Sequence, residues 1–205
     1  MPTVVCGPVV EDAELVERLR AGDEGAFVTL VDRYHESLVR LATTFVPSPA
    51  VAEEVVQETW LGVVRGIERF EGRSSLKTWL YRILVNRART AGVRERRTVP
   101  TDVVEGPTVD PARFDGTGAW SDPPEAWAER AEERLDAEDL AARVRDLIDG
   151  LPENQRQVVV LRDVEGASAR DACALLDLSE ANQRVLLHRG RARLRRMLEL
   201  EMGKG

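Results

Sequence analysis

Apolar residues recur along most of the chain at steps of three and four, and no strand-like alternation of useful length interrupts them. That period is the mark of amphipathic helices. Phe27, Leu30, Val31, Tyr34, Leu38, Leu41, Ala42 and Phe45 make one face of a long helix, which Pro47 and Pro49 should end. Val51, Val55, Val56, Trp60, Val63, Val64 and Ile67 make a second face, and Leu76, Trp79, Leu80, Ile83 and Leu84 a third. Three or four helices of this kind can enclose one core, so a bundle is predicted over residues 10–97.

The pattern then stops. From Thr98 to Trp127 there is no apolar period, but there are Pro100, Pro107, Pro111, Pro123 and Pro124 with Gly106, Gly116 and Gly118, the composition of a linker. Helical spacing returns at Ala137–Asp149 and is stopped by Gly150, and Pro152 suits the first turn of a helix from Glu153 to Val164. Gly166 should break that helix. Ser168 can cap a short one, Ala169–Leu176, with Asp171 at the capping-box position, and Ser179 can cap a last one reaching about Leu200. A short helix, a turn at Asp177-Leu178 and a longer, Arg-rich helix form the pattern of a helix-turn-helix. Leu187, Gly190, Leu194, Met197 and Leu198 would face inward, leaving Asn182, Arg184, Arg189, Arg193 and Arg196 outside. The predicted fold is all-α, with two helical domains at 1–97 and 137–205 joined by a flexible acidic linker at 98–136.

Charge sharpens this division. The 205 residues carry a net charge of -7, which spread evenly would argue against nucleic acid. It is not even: residues 1–64 sum to -7, 65–97 to +7, 98–150 to -9 and 151–205 to +2, and 182–197 hold six Arg and no acid. Basic stretches confined to particular helices are the footprint of phosphate contact. Of the 29 basic residues, Lys77 and Lys204 are the only lysines; because the bias runs through the whole chain, it reads as a GC-rich coding sequence.

Other chemistries find little support. Apolar runs reach only a few residues, as at Val158 to Leu161, whereas a membrane span needs about 18. The first residues also lack the basic start and apolar stretch of a secretory signal, so a cytoplasmic protein without membrane insertion is expected. Cys6 and Cys173 are far apart with no CxxC grouping, and distant His35 gives His188 no company, which argues against a disulfide framework or a metal. There is no HExxH, no Gly-rich phosphate loop and no nucleophile with a His partner, so neither an enzyme nor a cofactor is expected.

Several stretches resemble one family, the extracytoplasmic-function (ECF) group of bacterial RNA polymerase sigma factors. Ala52 to Trp60 is similar to the family's acidic, apolar, Gln-Glu-Thr-aromatic stretch, with Glu54 where Asp is usual. Phe70 to Ile83 resembles its loop-plus-helix signature, and Asn86 stands at the usual Asn. Leu151 to Arg156, Gly166 to Ser168 and Leu187 to Arg191 are similar to its second domain.

The resemblance implies a sigma domain 2 that binds the clamp helices of the largest polymerase subunit and the −10 element. It also implies a sigma domain 4 that binds the flap of the second-largest subunit and the −35 element. The linker would lie in the path of emerging RNA, and most members are held inactive by an anti-sigma factor. Carried onto this chain, Glu53, Glu54, Gln57, Glu58, Trp60 and Leu61 fall to polymerase. Arg73, Ser74, Ser75, Lys77, Arg82, Asn86 and Arg89 fall to the −10 strand, where the 71–75 loop could surround a base turned out of the stack. Asn182, Gln183, Arg184 and His188 fall to −35 base edges, and Arg189, Arg191 and Arg193 to phosphates. In the last helix the chain departs from the family's usual residues at 182–186, which bears on which −35 sequence is read. The alternative is a helix-turn-helix regulator that acts on duplex DNA without core polymerase.

Overall fold

Gly22 and Asp23 show how the first two helices are set against each other. Gly22 has φ +75°, a left-handed turn that suits a residue without Cβ, and Asp23 then caps the next helix by accepting from the N–H groups of Gly25 (2.8 Å) and Ala26 (3.1 Å). The Arg18 guanidinium, 2.8 Å from the same carboxyl, holds Asp23 below the usual carboxylate range, together with the Ala26 N–H. The computed structural model describes residues 9–98 and 137–202, in two units, Met1–Thr101 and Asp102–Gly205. Among the described residues every regular element is helical, as the sequence predicts.

The amino-terminal unit contains α1 (Val9–Arg20), α2 (Glu24–Ala42), α3 (Pro49–Gly66) and α4 (Leu76–Thr98), with a short 3₁₀ turn at Ile67–Arg69. Its core is the expected set of faces: Leu30, Leu38 and Leu41 of α2, Val55, Val56 and Val63 of α3, and Leu76, Leu80 and Leu84 of α4 are all buried. To these α1 adds Leu15, Val16 and Leu19. Three details differ from the sequence pattern. The second helix ends at Ala42 rather than Phe45, because the hydroxyls of Thr43 and Thr44 donate to the carbonyls of Arg40 (2.8 Å) and Leu41 (2.7 Å) and satisfy the last turn early. Pro49, expected to end one helix, opens the next, where its missing N–H costs nothing. Val64, counted with the inner face, is 57% exposed.

The carboxy-terminal unit contains α5 (Ala137–Asp149), α6 (Glu153–Val159), a π-helical segment (Val160–Val164), α7 (Ala169–Leu176) and α8 (Glu180–Met202). The helix predicted over 153–164 is thus not uniform. It widens in its last five residues, where the Glu165 N–H reaches back to the Val160 carbonyl at 2.8 Å, and Gly166 (φ +66°) then turns the chain. Ser168 caps α7 by accepting from the Asp171 N–H (3.0 Å), while its hydroxyl donates to the Asp171 carboxyl (2.6 Å). Asp177 takes the left-handed conformation at the turn, and the Ser179 hydroxyl caps α8 through the Asn182 N–H (3.2 Å). The predicted linker over 98–136 lies, from residue 99 on, outside the described residues, as does Cys6.

Candidate nucleic-acid interface

In the amino-terminal unit, α3 and α4 pack against each other and sort charge between them. Glu53, Glu54, Gln57, Glu58 and Leu61 are exposed on α3, with Leu61 56% exposed. On α4, Arg82 and Asn86 are exposed and Lys77 and Arg89 half-buried. The two sets meet in a groove lined by Val51, Glu54 and Glu58 from α3 and by Asn86, Arg87 and Thr90 from α4. Arg87 closes its floor with a 3.1 Å ion pair to Glu58, an arrangement that needs the helix packing and has no local sequence signal.

Trp60 sits differently from its neighbours. It is 9% exposed and meets Phe27 edge-on at 5.9 Å, so the structure gives it a core position, not the exposed one expected of a polymerase contact. Trp79 is half-buried, with its ring 5.1 Å from Phe70 and against Gly66, in line with packing. The patch that the pattern missed is apolar: Val28 of α2 and Val64 of α3, each 57% exposed, flank a groove over Phe27 and Val63.

The loop from Phe70 to Ser75 joins the 3₁₀ turn to α4. Gly72 has φ +69°, which permits the reversal; Arg73 projects from it, paired to Glu71 at 3.0 Å, and Ser74 is half-buried with its hydroxyl donating to the Ser75 carbonyl at 3.3 Å. Ser75 has a local task. Its Oγ accepts from the Thr78 N–H (3.1 Å) and lies 2.8 Å from the Thr78 hydroxyl, so it caps α4 and is not free to turn towards a base. Lys77 lies over the Tyr81 ring at 5.4 Å.

In the carboxy-terminal unit, α7 and α8 make the helix-turn-helix. Asn182, Arg184 and Arg189 are exposed on α8, and His188 and Arg193 are half-buried. Burial, and then the nearby Arg189 charge, push the His188 imidazole below its usual value. Gln183 was expected at a base edge, but it is 4% exposed: it is one helical turn before Leu187 and shares the inner face with it and Gly190. Arg191, expected on a phosphate, is clasped by Asp163 of the π-helical segment through two bonds of 2.6 and 3.0 Å. That bond to Asp163 raises the Arg191 pKa further and ties the recognition helix to the segment before the turn. Cys173 is half-buried, and burial raises its thiol.

Comparison with known proteins agrees with this arrangement. Residues 30–98 match the family model for Sigma-70 region 2, and residues 141–194 that for Sigma-70, region 4. The ECF RNA polymerase sigma-E factor of Escherichia coli K12 is 33% identical over 180 residues, 88% of this chain and 90% of that protein. The chain belongs to the ECF sigma factors. The RNA polymerase sigma-H factor of Pseudomonas aeruginosa is 32% identical over 190 residues, covering 92% of this chain and 94% of the relative. Two solved structures share the fold at a TM-score of 0.58. One is CnrH in complex with the cytosolic domain of CnrY, 23% identical over 92% of this chain and 97% of that one. The other is the sigma factor RpoE in complex with the anti-sigma factor NepR from Bartonella quintana, 22% identical over 84% of this chain and 96% of that one. The two helical units are therefore sigma regions 2 and 4, and the chain functions as an alternative sigma factor in transcription initiation. Sigma factors as a group are regulators, not enzymes. Among the described residues no helix is long and apolar enough to cross a membrane, and no cluster of His, Cys, Asp or Glu could hold a metal ion.

Proposed function

We propose that region 2 docks on the clamp helices of the largest polymerase subunit through α3 and reads the melted −10 strand through α4 and its preceding loop. Region 4 docks on the flap of the second-largest subunit and reads duplex −35 DNA through α8. The observation that carries this reading is the division of charge between two packed helices of region 2: Glu53, Glu54 and Glu58 are exposed on α3, whereas Lys77, Arg82, Arg87 and Arg89 are exposed or half-buried on α4, so α3 offers acids to a basic protein partner and α4 offers cations to a phosphate backbone. Glu53, Glu54, Gln57, Glu58 and Leu61 are the polymerase contacts, with Trp60 acting from the core to hold α3 in place. Arg73, Lys77, Arg82 and Arg89 hold phosphate, Ser74 and Asn86 meet bases, and Ser75 sets the loop by capping. The linker over 98–136 occupies the RNA path, where its acidic residues stand in for RNA charge. An anti-sigma factor is a further partner, the kind of protein bound to the sigma factor in the Bartonella quintana complex. The chain itself catalyses no reaction, needs no cofactor, and acts in the cytoplasm beside the polymerase.

Within α8 the reading separates two classes of residue. Asn182, Arg184 and His188 serve base edges, the imidazole as a neutral group at pH 7, and Arg189 and Arg193 serve phosphates, while Arg191 holds α8 through Asp163. Arg184→Ala should flatten the preference among −35 variants, since a base contact carries about 1–3 kcal/mol of discrimination. Arg189→Ala should weaken all variants alike and lower the slope of log affinity against log salt by about one. Equilibrium binding of holoenzyme to a set of −35 variants at several salt concentrations separates them. An unchanged ranking with Arg184→Ala would remove that residue from the readers.

A further inference from the structure

The Phe70–Ser75 loop is held at its root by α1, which precedes the matched residues 30–98. Arg20, the last residue of α1, donates through Nη2 to the Phe70 carbonyl, fifty residues further along the chain, and through Nη1 to Glu17 at 2.7 Å. Its Nε is buried without a hydrogen-bond partner, so the guanidinium is partly desolvated around the bonds it does make. Phe70 is where the chain leaves the 3₁₀ turn: its N–H still reaches back to Ile67 (3.1 Å), its backbone is extended, and its ring is 8% exposed against Trp79. The carbonyl taken by Arg20 thus fixes the chain just before Gly72, the projecting Arg73 and the half-buried Ser74. Beneath the loop, Asp12, Val16 and Glu17 of α1 line a groove whose other wall is Gly72, Ser74 and Leu76. Helix α1 is itself fastened to α2 by buried Leu15, Val16 and Leu19 and by the ion pairs Arg18–Asp23 and Asp12–Arg33 (3.5 Å).

We infer that Arg20 is a positioning residue for −10 recognition: α1, which lies before the matched residues 30–98, sets the loop in register for the base it meets. The inference rests on the proposed role of the loop. A charged donor on a backbone carbonyl at the root of a glycine-containing loop fixes the direction of its next residues, and small displacements of a positioned group are costly to its function. Without that bond, the loop would keep its composition and its phosphate contacts but lose its fixed path over α1. Affinity for single-stranded DNA would then persist while discrimination among bases fell.

The test is transcription from a template library randomised over the −10 region, using holoenzyme reconstituted from the full chain and bacterial core polymerase and read by sequencing the RNA products. Arg20→Met should shrink the preference at one or two adjacent −10 positions by about tenfold, the scale of one base contact. Core affinity should not change. Arg20→Lys, which can still donate to the Phe70 carbonyl, should recover part of the preference. Arg18→Met removes a different α1 ion pair and should lower the melting temperature while leaving the −10 ranking intact. If Arg20→Met keeps the ranking, or Arg18→Met flattens it equally, the positioning role is wrong and α1 matters only for folding. The double variant Arg73→Ala/Ser74→Ala reports on the loop itself. Should it alter the ranking where Arg20→Met does not, only the inference about Arg20 falls; should neither alter it, the loop's assignment falls as well.

Discussion

Gly92→Ala is expected to destabilise region 2 by about 1–3 kcal/mol, the range for overpacking a closely fitted interior. In an open helix the same change would stabilise by up to about 1 kcal/mol, because glycine is a poor helix former. The structure decides the sign. Gly92 is buried in α4, and an added Cβ would lie 2.6 Å from the backbone carbonyl oxygen of Phe45, in the turn that follows α2. A carbonyl cannot swing aside as a side chain can, and Phe45 is itself fixed by its N–H to the Ala42 carbonyl at 2.9 Å and by burial of its ring. Chemical denaturation of the full chain, with hydrogen exchange to place the loss in residues 9–98, measures the effect. A gain in stability would mean that α4 and the turn can separate freely.

Gly190→Ala is expected to do the same to region 4, with a consequence for DNA. Its added Cβ would meet Val159 Cγ2 at 2.6 Å and the Gln155 backbone and Cβ at 3.5 Å, where α6 crosses α8. Val159 is 1% exposed and, being β-branched in a helix, has little rotamer freedom with which to retreat. A cost of about 1–3 kcal/mol follows, and −35 recognition should weaken while core binding through region 2 persists. The clash also predicts its own relief: Val159→Ala in the Gly190→Ala background should cost less than the two changes summed. Strict additivity in denaturation would show that the helices have another way to part.

Of these two glycines, Gly92 marks where sequence reasoning reaches its limit. Side chains at helical spacing announce a buried face, so Leu30, Leu38, Val56, Leu80 and Leu84 could be assigned to the core from pattern alone, and Ser168 and Ser179 to caps from residue type and position. Gly190 fell on the predicted inner face by its register. Gly92 gave no such signal, because a residue without Cβ adds nothing to an apolar count and its importance depends on a backbone that arrives from Phe45. Gln183 failed for a related reason: a polar side chain on a helix reads as available for contact until the packing partner is known. Trp60, which the spacing placed on an apolar face, was assigned to polymerase by the family resemblance alone. Arg191 and Arg20 resemble any other arginine in the sequence, and only the fold brings Asp163 and the Phe70 carbonyl to them. The acidic and basic stretches were legible by counting, but their meeting in one groove, with Glu58 paired to Arg87, required α3 and α4 to be packed.

The family assignment and the site residues lead to one direct test. Purified chain is added to core RNA polymerase freed of other sigma factors, and the mixture transcribes a library of random upstream sequences. RNA starts should cluster at discrete sites preceded by two sequence elements at a nearly constant spacing. Glu54→Lys combined with Glu58→Lys should abolish those starts together with core association, since it reverses the charge of the face offered to a basic partner. If the chain instead binds duplex DNA unaided, leaves core polymerase unbound and directs no start, its two units act as a helix-turn-helix regulator and the proposed use of α3 is wrong.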